Sequence, residues 1–534
     1  MTRASLIIDN ARIRTLDPAR PAASALAIAD GAIVAVGDRH EVAELRGPGT
    51  EVVDLAGAAL VPGLVDSHLH PFYGAQRARG VDFTGMRTLD EVHEALRQER
   101  LRCGEGEWVL GYALAYEAFD EVGISASAID DAVAGAPALL SFVDLHTAVA
   151  SSAALAAARV DGPRRFEEGA EIVCADGRPT GELREHAAVG AVLDVVPELS
   201  EEQLLAAYRD TFRKMNESGL TGAHVMLGGP ALLDTCRELE ERGWLSMRLA
   251  MPLHQEPAIA DDEIERRLPL LGAHGRRWRC GSAKFFIDGV VETGTAWLLE
   301  PDAHGRGTDP FWPDPERFSE VVARFAAAGF QCATHAIGDR AVRLTLDAYR
   351  AAGATPGVRH RIEHIETLTD EDLPRFSREG IVASMQAIHL ENMHGDRSDP
   401  WSRALGSDRC DRAFRMRDLI DSGARLALGS DWPVARFDPR RGMAWARLRR
   451  EPGERDALPY NGNQVLTPLE ALEGYTSGAA YAVGDERVSG RIAPGFRADL
   501  TALAHDPVEV PADDLLDLPV VLTVVDGEIV YRAS

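Results

Sequence analysis

The stretch Val61-Pro62-Gly63-Leu64-Val65-Asp66-Ser67-His68-Leu69-His70-Pro71 decides the reading of this chain. It is a short apolar run that ends in two histidines two residues apart. On a strand, residues i and i+2 face the same side, so His68 and His70 project together from one strand end. Two imidazoles converging there can hold a divalent metal through borderline nitrogen donors. The bland alternative is a pair of surface histidines near a turn.

Downstream, one phrase recurs: a helical stretch, a glycine, then an apolar strand ending in a polar residue. Residues 204–217, Gly219 and 220–225 form one copy. Residues 318–328, Gly329 and 330–335 form another. The phrase returns as 373–378, Gly380 and 381–386, and again as 416–421, Gly423 and 425–431. A helix closed by glycine and followed by a strand is the αβ connection of a parallel sheet. Several such units in series predict a (β/α)8 TIM-like barrel, with its active site at the C-terminal strand ends.

The two ends of the chain have a different texture. Residues 4–9, 25–36 and 51–60 read as short strands separated by turn residues. Residues 498–504 and 520–525 do the same, the latter turning at Asp526-Gly527 into 528–532 as a hairpin. The expected class is therefore α/β. A barrel spans 61–484, and a small β-sandwich domain is built from 1–60 and 485–534. An insertion over 82–200, after the first barrel strand, covers the active-site mouth.

The chain has 534 residues, 45% hydrophobic and 26% charged, which allows a sizeable core. A net charge of −27 argues against nucleic acid or an anionic membrane as the main partner. The six cysteines lie far apart with no C-x-x-C, which fits reduced thiols better than a disulfide framework. Residues 1–17 carry no basic region followed by a long apolar run, and no apolar segment reaches ~18 residues. A cytoplasmic location is the expectation.

More strand ends carry chemistry-bearing side chains. Lys284 follows Gly281-Ser282-Ala283, His335 ends Gln331-Cys332-Ala333-Thr334, and His364 ends His360-Arg361-Ile362-Glu363. Asp431 ends Ala427-Leu428-Gly429-Ser430. An ammonium has no lone pair for a metal, but a lysine carboxylated by CO2 is an anionic oxygen donor. Singly, each residue has an ordinary reading: a buried lysine stem, a structural histidine, a cap. Together, five strand ends carry His-x-His, Lys, His, His and Asp, in that order.

This order resembles the amidohydrolase superfamily of metal-dependent hydrolases. The resemblance covers nearly the whole chain, including Gly495-Phe496-Arg497-Ala498-Asp499-Leu500 near its end. Lys284-Phe-Phe-Ile-Asp-Gly, His335-Ala-Ile-Gly-Asp, Ile362-Glu-His and Gly429-Ser-Asp-Trp-Pro look like the branch that includes the N-substituted formamide deformylases. It implies two divalent metals, zinc by default. His68, His70 and Asp431 would hold the more buried ion, and His335 and His364 the second. A CO2-derived carbamate on Lys284 would bridge the two.

Cations about 3.5–4 Å apart can share a hydroxide and polarise a carbonyl, with Asp431 handling the proton. Glu363 and Asp339 adjoin these ligands and are candidate orienting groups. His146 resembles an element of that branch that reaches into the pocket from the insertion. The branch carries an asparagine a few residues later, where this chain has Ser151-Ser152. Trp297 and Trp432 are candidate substrate contacts; Trp312 could also line an apolar pocket, though core packing is the default for each tryptophan.

The implied reaction is hydrolysis of a C–N bond of an amide, N-substituted formamide or cyclic amide by a metal-bridged hydroxide. A deaminase of the same fold is an alternative. Such deaminases use one metal and a Glu three residues after the strand-five histidine, where this chain has Gly338. A catalytically silent binding or regulatory protein is another, although every expected ligand position is filled. The expected partner is a small-molecule amide, with no nucleic acid and no membrane; a homodimer is the candidate assembly.

Overall fold

Eight parallel strands dominate the larger part of the chain: β1 (Leu64–Leu69), β2 (Leu220–Val225), β3 (Arg248–His254), β4 (Trp278–Phe286), β5 (Gln331–Ala336), β6 (Arg361–His364), β7 (Val382–Met385) and β8 (Arg425–Leu428). They hydrogen-bond in sequence order from β1 to β8. Just past β8, Asp431 N donates to His68 O at 2.6 Å and His70 N donates to Trp432 O at 2.8 Å. These two bonds join the last strand to the first and close the barrel. The computed structural model describes residues 3–104, 106–142, 147–164, 166 and 170–533. They fall into two compact units, one of Met1–Pro71 and Arg209–Ser534, the other of Phe72–Tyr208.

The barrel strands read as near-continuous buried runs, as strands covered on both faces must. Helices alternate with them for local reasons. Pro315–Ala327 starts at Asp314, whose side chain accepts from the backbone N of Glu316 and Arg317, with Pro315 in the first turn. It is followed by Gly329 at φ 96°, a left-handed turn that a residue with a Cβ adopts only at a cost.

In the same unit, strands from both chain ends pair with one another. Ala59–Pro62 lies between Leu500–Leu503 and Arg12–Arg14 in a six-stranded sheet that also contains Val520–Val525 and Glu528–Arg532. Asp526 and Gly527 both have positive φ, the requirement of a two-residue type I′ hairpin. A four-stranded sheet of Ala32–Gly37, Ala25–Ala29, Leu6–Asp9 and Glu51–Asp54 accompanies it. Leu6, Ile8, Ile28 and Ile33 from the start of the chain share one buried cluster with Leu500, Leu522 and Val524 from its end.

The unit Phe72–Tyr208 holds a six-stranded mixed sheet: Glu171–Ala175, Arg178–Arg184, Thr147–Ala150, Ala138–Phe142, Val109–Leu114 and Val81–Asp82. Both of its faces are covered. Leu140 and Val149 pack into one cluster, while their chain neighbours Leu139 and Ala148 pack into the other, as strand alternation dictates. Its helix Leu89–Arg102 opens with a reciprocal cap between Thr88 and Glu91. All six cysteines are free thiols. Among the described residues, no helix is long and apolar enough to cross a membrane.

Candidate metal centre

The centre is built on the seam between β1 and β8. Asp66 is fully buried and accepts from the backbone N of His68 at 3.0 Å and of Ser430 at 3.1 Å. Burial pushes its carboxyl up to about 7. The approach needs glycine at 429, where a Cβ would lie 2.5 Å from His68 N.

His68 is wholly buried, and its Nδ1 lies 2.7 Å from Glu363 Oε2. An ionised carboxylate only accepts, so the proton sits on Nδ1 and the lone pair on Nε2. That Nε2 lies 3.3 Å from Asp431 Oδ1, and His70 Nε2 lies 2.8 Å from the same oxygen. Yet neither His68 Nε2 nor Asp431 Oδ1 has a hydrogen-bond partner. Ligand atoms that converge without bonding one another are arranged for an ion between them.

Asp431 and His364 hold φ of 62° and 74°, a region that non-glycine residues rarely visit. At strand ends this backbone re-aims the side chain. The His364 ring centroid lies 4.6 Å from that of His68 and 4.3 Å from that of His335. His335 Nε2 is 3.2 Å from the carbonyl of Gly289. Lys284 is completely buried, with Nζ 4.6 Å from the Phe286 ring centroid and no hydrogen-bond partner. Burial lowers its amine to about 8, against the pull of Glu363 and Asp431.

Among the described residues, two sets could each hold a cation: His68, His70 and Asp431, and His364, His389 and Asp431. Asp431 belongs to both. His389 was not among the residues singled out from the sequence. It sits on the 3-10 turn Ala387–Asn392 beyond β7, stacked on His364 at 5.8 Å and 17°. Its Nε2 lies 3.7 Å from Asp431 Oδ2 and its Nδ1 3.6 Å from Glu366 Oε1. Glu366 is fixed in turn by Trp401 Nε1, which donates to it at 2.8 Å. His335, expected beside His364, is its neighbour but belongs to neither set. Gln386, at the start of the same turn, is buried with both side-chain polar atoms unpartnered.

The electrostatics suit a metal. Burial pushes His335 down to about 3 and lowers His70 and His364 as well, so these rings keep their lone pairs at neutral pH. Burial opposes the charge on Asp431, but His68 and His70 outweigh it and hold its carboxyl well below the usual range. Burial likewise opposes protonation of His389, yet Glu366 and Asp431 raise its pKa.

Buried polar groups normally find partners. Here His68 Nε2, His70 Nδ1, Lys284 Nζ, His364 Nδ1, His389 Nε2 and Asp431 Oδ1 all lack one. The imidazoles and the carboxylate among these neighbouring residues are a donor set that fits borderline divalent ions, while the ammonium of Lys284 would have to be carboxylated to join it.

Asp339 caps a loop by accepting from Leu299 N at 2.7 Å. Glu363, by contrast, is fully buried and bonded to His68. Trp297 is 4% exposed; its Nε1 donates to Thr308 O at 2.9 Å, and Arg340 lies over its ring. Trp312 packs on Phe285 and Phe318. Trp432, next to Asp431, is half-buried edge-on to Phe437. His146 lies outside the described residues.

The amidohydrolase family description (Amidohydro_3) matches residues 51–531. The chain belongs to the amidohydrolase family. Within it, a protein of Bacillus subtilis (strain 168) named amidohydrolase YtcJ is 30% identical over 525 residues, 96% of each chain. The N-substituted formamide deformylase of Arthrobacter pascens is 27% identical over 550 residues, 99% of this chain and 98% of its own. A crystal structure of an uncharacterized metal-dependent hydrolase from Pyrococcus furiosus superposes with a TM-score of 0.73 at 25% identity, covering 94% of this chain and all of that one. Metal-dependent hydrolysis with divalent ions is the chemistry that this amidohydrolase membership brings.

Proposed function

We propose that this amidohydrolase cleaves a C–N bond of an amide, an N-substituted formamide or a cyclic amide. The observation that carries the reading is the set of orphaned ligand atoms around Asp431. His68, His70 and Asp431 would hold one divalent ion, zinc by default, and His364, His389 and Asp431 would hold a second, next to His335. Lys284, buried and unpartnered, would carry the carbamate that bridges the two. Two ions there supply Lewis-acid polarisation of a carbonyl and a water of lowered pKa.

The chain's own residues do the rest. Glu363 holds His68 with Nε2 facing the centre. Asp431 accepts the proton of the attacking water and returns it to the leaving nitrogen, which is the step that lets an amine depart from an amide. Glu366, 3.6 Å from His389 Nδ1, orients that ring so that its Nε2 faces Asp431. The near full-length likeness to a formamide deformylase supports an amide-type substrate. The deaminase alternative needs a carboxylate at 338, but any Cβ there would lie 2.0 Å from the backbone oxygen of Trp297.

The test is metal content per chain together with hydrolysis of a panel of N-formyl, N-acyl and cyclic amides. Two ions and turnover of at least one amide class are expected. Turnover confined to aminated purines or pyrimidines, or no turnover of any amide by fully metallated protein, would overturn the reading.

A further inference from the structure

Behind the metal centre, a chain of buried polar side chains runs down the inside of the barrel. Arg361 and Glu363 alternate onto the same face of β6. Arg361 Nε donates to Glu363 Oε1 at 2.6 Å and Nη2 to Glu363 Oε2 at 3.0 Å, a two-pronged grip. The same Nη2 donates to Ser67 O on β1 and to Ser384 Oγ on β7, each at 2.6 Å. Nη1 donates to His224 Nδ1 on β2 at 2.9 Å. Arg361 and Glu363 are wholly buried, and His224 is 3% exposed.

Each link has only one sense. A guanidinium has no acceptor, so His224 must receive at Nδ1 and carry its proton on Nε2. Glu363 has only acceptors, so it takes Arg361 on one side and His68 Nδ1–H on the other. The tautomer of His68, and with it the direction of its metal-facing lone pair, is therefore set by residues on three other strands. His224 in turn lines a cavity of about 190 Å³ with Arg248, Trp278 and Arg279. Those residues come from the N-terminal halves of β3 and β4, the end of the barrel away from the metal centre.

We propose that Arg361 and His224 are positioning residues for the metal ligand His68, acting through Glu363. Without an acceptor at 224, the guanidinium shifts toward Glu363 and competes with His68 for its Oε2. His68 then loses its fixed orientation, and metal affinity falls although no ligand has been touched. The inference rests on His68 holding a metal.

The experiment measures zinc affinity of chelator-stripped, refilled protein by competition with a chromophoric chelator, with the urea midpoint of each stripped variant as a check on folding. Arg361→Lys, which keeps charge but loses the fork, should bind zinc about 10–100-fold more weakly. His224→Leu should weaken binding about three- to thirtyfold, whereas His224→Gln, which keeps an acceptor oxygen, should stay within about threefold of the native protein. Native affinity in both Arg361→Lys and His224→Leu would overturn the proposal. Equal losses in the Leu and Gln variants would also overturn it, because packing alone would then account for them. Two positions on different strands keep the test decisive if one variant fails to fold. Native protein that binds no zinc would instead sink the metal-site reading.

Discussion

Oδ1 of Asp431 lies 2.8 Å from Nε2 of His70, yet that oxygen has no hydrogen-bond partner. Its sister oxygen faces His389. One carboxylate is thus common to both candidate ion sites. Asp431→Asn should lower the occupancy of both, not one, and cut kcat by about 10²–10⁴. Elemental analysis of protein purified without chelator checks this; a variant that keeps two ions per chain contradicts the shared role.

His389 separates the geometric assignment from the one expected from strand ends. His389→Ala should leave one ion per chain, at His68 and His70, with the second site emptied. Metal titration followed calorimetrically reads the stoichiometry directly. Unchanged two-ion binding would return the second site to His335 and His364 alone.

Lys284 is expected to be carboxylated in the active protein. A bare ammonium so close to two cations would repel them, whereas a carbamate would bind both. Lys284→Ala should lose metal and activity, and acetate or another short carboxylate should restore part of each. Lys284→Arg should not respond to CO2. Normal metal content in Lys284→Ala rules the bridge out.

His360 provides a pH test away from the ligands. Burial lowers it to about 4, and its Nδ1 accepts from Cys332 N at 3.0 Å. An unfolded histidine titrates near 6.5, so between these values the unfolded chain binds the extra proton. Stability present above about pH 6.5 is lost as pH falls toward 4, with a slope of about 1.4 kcal/mol per pH unit for this one group. His360→Gln should flatten the urea midpoint over that window by about one proton's worth. An identical pH slope in the variant would contradict the assignment.

Gly429→Ala should damage the centre without removing a ligand. The new Cβ meets His68 N and Asp66 Oδ1 at 2.5 and 2.8 Å, and both are held in place by bonds to each other. Overpacking of this kind costs about 1–3 kcal/mol. Thermal unfolding of the stripped protein should show it, and metal affinity should drop with it.

The barrel was legible because its strands and helices punctuate themselves: glycine after helix, apolar run, polar end. The candidate ligands His68, His70, Lys284, His335, His364 and Asp431 were legible by the same rule, since each lies within three residues of the C-terminal end of a barrel strand. His389 was not, because the chain makes a 3-10 turn after β7 before presenting it. The signal was there, four residues beyond the end of β7 at Met385. Arg361 and His224 were hidden for another reason. Polar residues in apolar strands normally imply exposure, and only the closed barrel reveals that they satisfy each other inside it. Glu363 shared that ambiguity until its bond to His68 was seen.

The barrel's first and last strands meet at the bonds between Asp431 N and His68 O and between His70 N and Trp432 O. More than 360 residues separate the two sides of that seam. Until the ribosome has delivered residue 431, His68 and His70 lack the carboxylate that faces them across the seam. An ion held by His68, His70 and Asp431 would therefore clasp the two sides of the seam together. Release of such an ion would loosen a contact that closes a long loop, so the stripped protein should begin to come apart at this join.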